Sequence, residues 1–162
     1  MGCKKNHSTE ESEDYEVYVN EIIDSLAHQM KSDYGLICTG DGGRMPHDIE
    51  KISVKFIAYQ RATIEEAREL EVKVTERLLE IINSHKKIRP FLRDYPFTPA
   101  RTQVGISFNK KNNSSYADGR VVYVSNIKNT LYYDAEDPSG KDIELAKEPY
   151  EEAKIKVLGA DS

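Results

Sequence analysis

Thr63-Ile64-Glu65-Glu66 opens the stretch that most constrains this chain. A Thr hydroxyl and a Glu carboxylate three residues apart satisfy each other's backbone donors, which is how a capped helix starts. Behind them Ala67, Leu70, Val74, Leu78, Ile81 and Ile82 share one face, so the helix runs to about His85. Such an apolar stripe needs a partner surface. The flanking sequence offers one. Ile52, Val54, Phe56 and Ala58 alternate with Ser53, Lys55, Ile57 and Tyr59, and Val104, Ile106 and Phe108 alternate with Gln103, Ser107 and Asn109. Both patterns have the period of strands.

A second helix precedes these elements. Tyr15, Val19, Ile22, Leu26 and Met30 recur at spacings of three and four, widened by Tyr18 and Ile23. Ser12 or Ser8 is a candidate cap, the acids Glu10, Glu11, Glu13 and Asp14 suit its positive end, and Gly35 is a natural stop. Thr39–Pro46 has the composition of a loop, as does 109–119, and Pro90, Pro96 and Pro99 break up the segment after the long helix. Arg120–Ser125 and Thr130–Asp134 read as a strand hairpin around Asn126–Asn129. Asp137-Pro138-Ser139-Gly140 is a turn. Ile143–Lys147 fits a short strand, and Pro149 sits where a helix through Val157 would begin.

This order implies an α+β fold: an antiparallel or mixed sheet of about four strands, two main helices on one face, and a short C-terminal element. Residues 1–14 read as a flexible tether, 15–158 as a single domain and 159–162 as a tail. The 162 residues suit one domain of ordinary size. The net charge of −5 is unevenly spread. Residues 1–20 hold two Lys against five acids, 134–162 hold four Lys against nine acids, and the middle is slightly basic. No basic stripe of the kind that neutralises phosphates is present, so nucleic acid is disfavoured. Two cysteines build neither a disulfide framework nor a four-cysteine zinc site.

Gly2-Cys3-Lys4-Lys5 resembles the mature start of a bacterial lipoprotein, in which the cysteine carries the acyl chains. That resemblance covers Gly2, Cys3 and the hydrophilic run to Asp14, and it implies lipidation at Cys3. Myristoylation at Gly2 wants Ser or Thr at position 6, where this chain has Asn6. An unmodified tail with an incidental cysteine is the remaining alternative. At Gly42-Gly43-Arg44-Met45-Pro46, Asp48-Ile49-Glu50-Lys51, Ile88-Arg89-Pro90 and Tyr95-Pro96-Phe97-Thr98 the chain resembles a family of small uncharacterised bacterial proteins associated with chlamydia-like bacteria. The resemblance spans roughly residues 35–135 and implies no activity, substrate or catalytic residue. It implies a bacterial source, which favours the lipoprotein reading of Cys3.

Candidate sites are few. Gly40, Gly42 and Gly43 could turn backbone N–H groups toward an anion, with Arg44 as a bidentate donor and His47 nearby. The segment lacks the Lys-Ser/Thr of a phosphate loop, and Asp41 would repel phosphate. A tight connection with positive φ angles explains the same glycines. His7, His28, His47 and His85 share no metal-ligand spacing, although His47, Asp48 and Glu50 are close in sequence. The acidic run Asp134, Glu136, Asp137, Asp142 and Glu144 is no calcium loop, because Ser139 and Leu145 occupy positions that require Gly and Glu. Cys38 follows Leu36-Ile37 and fits a buried apolar position better than a thiolate.

His85, Lys86, Lys87, Arg89 and Arg93 complement the carbonyl end of the long helix. Their functional reading is a docking patch in which Lys87, Arg89 and Arg93 flank the aromatic anchors Tyr95 and Phe97. The expected function is therefore a non-enzymatic binding module anchored to the periplasmic side of a bacterial outer membrane. Its partner is a protein or other envelope component, and no catalytic residue, cofactor or metal is expected. The alternatives are a cytoplasmic location and a small envelope hydrolase or other small-molecule enzyme using the 38–48 loop. A pocket joining Cys38, Arg44, His47 and a carboxylate favours the enzyme, whereas a flat sheet face with exposed aromatics favours binding.

Overall fold

The computed structural model describes residues 10–159 and follows the order α1 (Glu10–Tyr34), β1 (Ile37–Arg44), β2 (Lys51–Ala58), α2 (Ile64–Ser84), β3 (Thr102–Phe108), β4 (Val121–Ile127), β5 (Thr130–Glu136), β6 (Asp142–Pro149) and α3 (Tyr150–Leu158). The strands form one mixed sheet in sequence order. Neighbours are antiparallel except β2 and β3, which run parallel because α2 carries the chain back between them. The helices lie together on one face: α1 over β1, α2 over β3 and β4, and α3 over β5 and β6. Between them and the sheet sits a core that includes Ile52, Val54, Phe56, Ile106, Phe108, Val124 and Tyr133, each at most 1% exposed.

Local chemistry fixes the helix ends. Thr63 Oγ1 accepts from the Glu66 N–H at 3.1 Å, and the Glu66 carboxylate accepts from the Thr63 N–H at 3.0 Å, completing the expected capping box. Gly35, at φ +69°, ends α1 by donating to the Lys31 carbonyl at 3.0 Å. Helix α1 begins at Glu10, inside the segment assigned to the tether, so Ser12 lies within the helix rather than at its cap. Cys3, His7, Ser8 and residues 160–162 lie outside the described residues. Lys128 and Asn129, both at positive φ, form the two-residue turn that joins β4 to β5.

The sheet has six strands rather than about four, and both additions are edge strands. The glycine-rich segment read as a loop is β1, paired with β2 from Ile37 to Arg44 around a bulge at Cys38–Gly40. An edge strand pairs on one side only, and glycine within a strand often marks a bulge or a close approach. None of Gly40, Gly42 and Gly43 adopts a positive φ. Gly43 is needed for close approach instead, since a Cβ there would strike the Lys51 carbonyl oxygen and the Met45 methyl. At the other edge, β6 extends Ile143–Lys147 in both directions and ends at Pro149, which caps α3.

Candidate functional site

The geometry keeps the residues of the expected loop site apart. Gly42, Gly43 and Arg44 end the edge strand, Arg44 Nε donates to Glu50 Oε1 at 3.2 Å, and His47 is exposed beyond them. Arg44 borders a shallow groove of about 380 Å³ with Glu50, Lys51, Arg101 and Gln103. Cys38 opens instead on a groove of about 540 Å³ between α1 and β1, lined by Asp24, His28, Lys31 and Leu36. Neither groove contains His47. Among the described residues, no three His, Cys, Asp or Glu side chains are grouped to hold a metal.

The expected docking patch is also rearranged. Phe97 is only 2% exposed and belongs to the core, so it is not a displayed anchor. Asn83, in the last turn of α2, binds its backbone and draws the ring inward. Arg93 donates to Asp48 at 2.8 Å and pairs with Glu50 at 2.9 Å, which takes it out of any free positive patch. The hydrogen bond from Arg93 is the main reason the Asp48 carboxyl lies below its usual pKa. Lys87 and Arg89 are exposed, and the Arg89 guanidinium lies 4.1 Å from the centre of the half-exposed Tyr95 ring. His85 is structural: it accepts from the Ile88 N–H and meets Glu21 of α1 at 2.9 Å.

What the fold leaves open is the opposite face of the sheet. Because side chains alternate along a strand, the register defines its rows. One row reads Ile37, Ile57, Ser107, Tyr123, Asp134, Glu144, and the next reads Gly40, Lys55, Gly105, Ser125, Tyr132, Lys147. Tyr123 leans across Gly105, where a Cβ would run into its phenol. That aromatic cover leaves Ser125 only 3% exposed. Burial, and behind it the charges of Glu71 and Asp134, raises the Tyr123 pKa. The half-buried Tyr132 and Ile57, and the exposed Ile127 at the rim of the Arg44 groove, complete a surface of aromatic and aliphatic groups.

Charge on this face is divided between two corners. Arg44 and Lys51 occupy the β1–β2 corner, with Lys55 midway along β2, and Asp134, Asp142 and Glu144 occupy the opposite corner on β5–β6. The sequence carries the alternation of Lys55 and Ile57 in β2. It hides the joining of the two corners on one face, because that depends on strand order.

Sequence reasoning also missed a buried polar group behind the sheet. Glu71 is 0% exposed on α2, neither carboxyl oxygen makes a well-formed hydrogen bond, and the unpaired Thr75 hydroxyl lies one turn along the helix. Burial pushes the Glu71 pKa well above the carboxylate range, against a smaller pull from the Asn126 N–H. The spacing held a signal, since position 71 falls four after Ala67 and three before Val74.

No family model matches the chain. No curated protein and no solved structure matches it either.

Proposed function

We propose that this chain is a non-enzymatic binding module that acts through the uncovered face of its sheet and is held at a bacterial envelope by acylation of Cys3. The observation that carries the reading is a flat face, unoccupied by any described helix, on which Tyr123, Tyr132, Ile57 and Ile127 lie between charged corners. Aromatic and aliphatic groups ringed by charge are the composition of a protein contact surface. Separation of Cys38 from Arg44 and His47 removes the support that a shared pocket would lend the enzyme alternative. None of the described helices is long and apolar enough to cross a membrane, so the anchor in this reading is the lipid.

Pull-down from a bacterial envelope fraction tests the surface. Ile57→Asp with Tyr132→Ser loses partners that wild type and a Lys86→Glu, Lys87→Glu control both recover. Equal recovery by all three proteins overturns the reading. For the anchor, Cys3→Ser moves the protein from the detergent phase to the aqueous phase, and an unacylated mature chain in the native host rules acylation out.

A further inference from the structure

Building on that reading, we infer that the uncovered face binds a second copy of this chain. Its basic corner (Arg44, Lys51) and acidic corner (Asp134, Asp142, Glu144) lie at opposite ends of one diagonal of the sheet. A two-fold axis lying in the face along the other diagonal sets the acids of each copy on the bases of its partner. The same rotation crosses the two sets of strands at about 90°, one of the two ways in which sheets pack face to face. An isologous contact requires a surface that is its own complement, and this face meets that requirement.

The corners lack full compensation within the chain. Asp134 is held above its usual pKa first by burial and then by Glu144 and Asp142. Arg44 already meets Glu50 at 3.2 Å, but Lys51 donates only to the neutral Gln103 at 3.1 Å. A surface of single charge, such as an anionic membrane, would attract one corner and repel the other. Lys147 lies off both corners, beside Tyr132.

The area is adequate. Strands of seven or eight residues, rising about 3.3 Å per residue and spaced about 4.8 Å apart, give a face of roughly 700 Å². A standard interface buries about 800 Å² on each partner. Gly105 and the Tyr123 ring that covers it keep the middle of the face flat enough for close contact.

Sedimentation equilibrium of the full chain tests the inference. Wild type dimerises with a dissociation constant in the roughly micromolar range, and the dimer weakens as salt shortens the screening length from about 10 Å at 0.1 M to about 3 Å at 1 M. Arg44→Glu with Lys51→Glu, and separately Asp134→Lys with Glu144→Lys, each weaken self-association at least about tenfold. An equimolar mixture of the two variants pairs to within about threefold of wild type, because both corner contacts again join opposite charges. Circular dichroism checks that each variant is folded, and Arg44→Glu and Glu144→Lys alone, at two exposed positions, repeat the mixing test if either double variant unfolds. A wild type that stays monomeric at about 100 µM, or a mixture that stays monomeric, overturns the dimer. If Ile57→Asp with Tyr132→Ser still loses envelope partners in that case, the binding-module reading stands without it. If no partner is lost, both fall.

Discussion

Asn83 holds Phe97 by both sides of its backbone: the Phe97 N–H donates to Asn83 Oδ1 at 2.7 Å, and Asn83 Nδ2 donates to the Phe97 carbonyl at 3.1 Å. One side chain at the end of α2 thus satisfies the main chain of the proline-interrupted connector and seats an aromatic ring in the core. Asn83→Ala leaves a buried donor and acceptor unpaired, at a cost of about 1–3 kcal/mol. Asn83→Asp keeps the acceptor but sets a carboxylate oxygen against the Phe97 carbonyl oxygen 3.1 Å away, so it is also destabilising. Urea unfolding at constant m-value orders the three proteins; equal midpoints for wild type and Asn83→Ala would show that the clamp contributes nothing.

Leu78 lies fully buried on the sheet-facing stripe of α2, whereas Leu70 on the same helix is half-buried. Leu78→Ala removes packed methyl groups and leaves a cavity, at a cost of about 2–5 kcal/mol. Leu70→Ala costs less because water already reaches part of its side chain. Chemical denaturation of both variants checks the order, and a Leu78→Ala loss below about 0.5 kcal/mol, the range of surface changes, contradicts the helix phase.

Elements whose local chemistry and burial agree were legible in the sequence. The capping box at Thr63, the stop at Gly35 and the alternation of β2 and β3 each announce themselves within a few residues. The edge strand β1 was hidden because Gly40, Gly42 and Gly43 satisfy the composition of a loop while pairing as a strand. Phe97 was misplaced because the prolines around it imply display, and only the distant Asn83 turns it inward. The open face carries residues as far apart in sequence as Lys51 and Glu144 at its opposite corners, and only the strand order shows that they share it.

Glu148 fastens three elements to the end of β6. Its Oε2 accepts from the Tyr133 hydroxyl at 2.6 Å and from Arg68 Nε at 2.8 Å, and its Oε1 accepts from Lys156 Nζ at 2.7 Å. Burial alone would raise its pKa, but hydrogen bonds from Lys156, Tyr133 and Arg68 hold it below the ordinary value of 4.5. The unfolded chain therefore takes up this proton first as pH falls, so the contribution is whole above about pH 4.5 and is lost as pH drops through the folded value. Glu148→Gln costs about 1.5–3 kcal/mol at neutral pH, the range for bonds to a charged group, and flattens the acid limb of a stability profile. An acid limb as steep as wild type in that variant would assign it to other carboxylates.

Glu71 acts in the opposite direction. Its carboxyl is fully buried without a well-formed hydrogen bond, and burial raises its pKa well above 4.5 against a smaller pull from the Asn126 N–H. The folded protein keeps this proton at pH values where the unfolded chain has released it. With more protons bound in the folded state, stability falls as pH rises from about 4.5 through the folded pKa, and the whole penalty is present above it. Burial comes first in raising the Tyr123, Tyr133 and Tyr150 pKa values, and the charge of Glu71 adds to it in each. Glu71→Gln keeps the shape and removes the titration, and Glu71→Met also removes the polar burial. Both variants hold their stability between pH 5 and pH 8 better than wild type, and at the upper end Glu71→Met gains about 1–3 kcal/mol, the cost of a buried unpaired polar group. Thermal unfolding across that interval is the measurement. Parallel profiles for wild type and Glu71→Gln would mean that this carboxyl does not titrate differently in the fold.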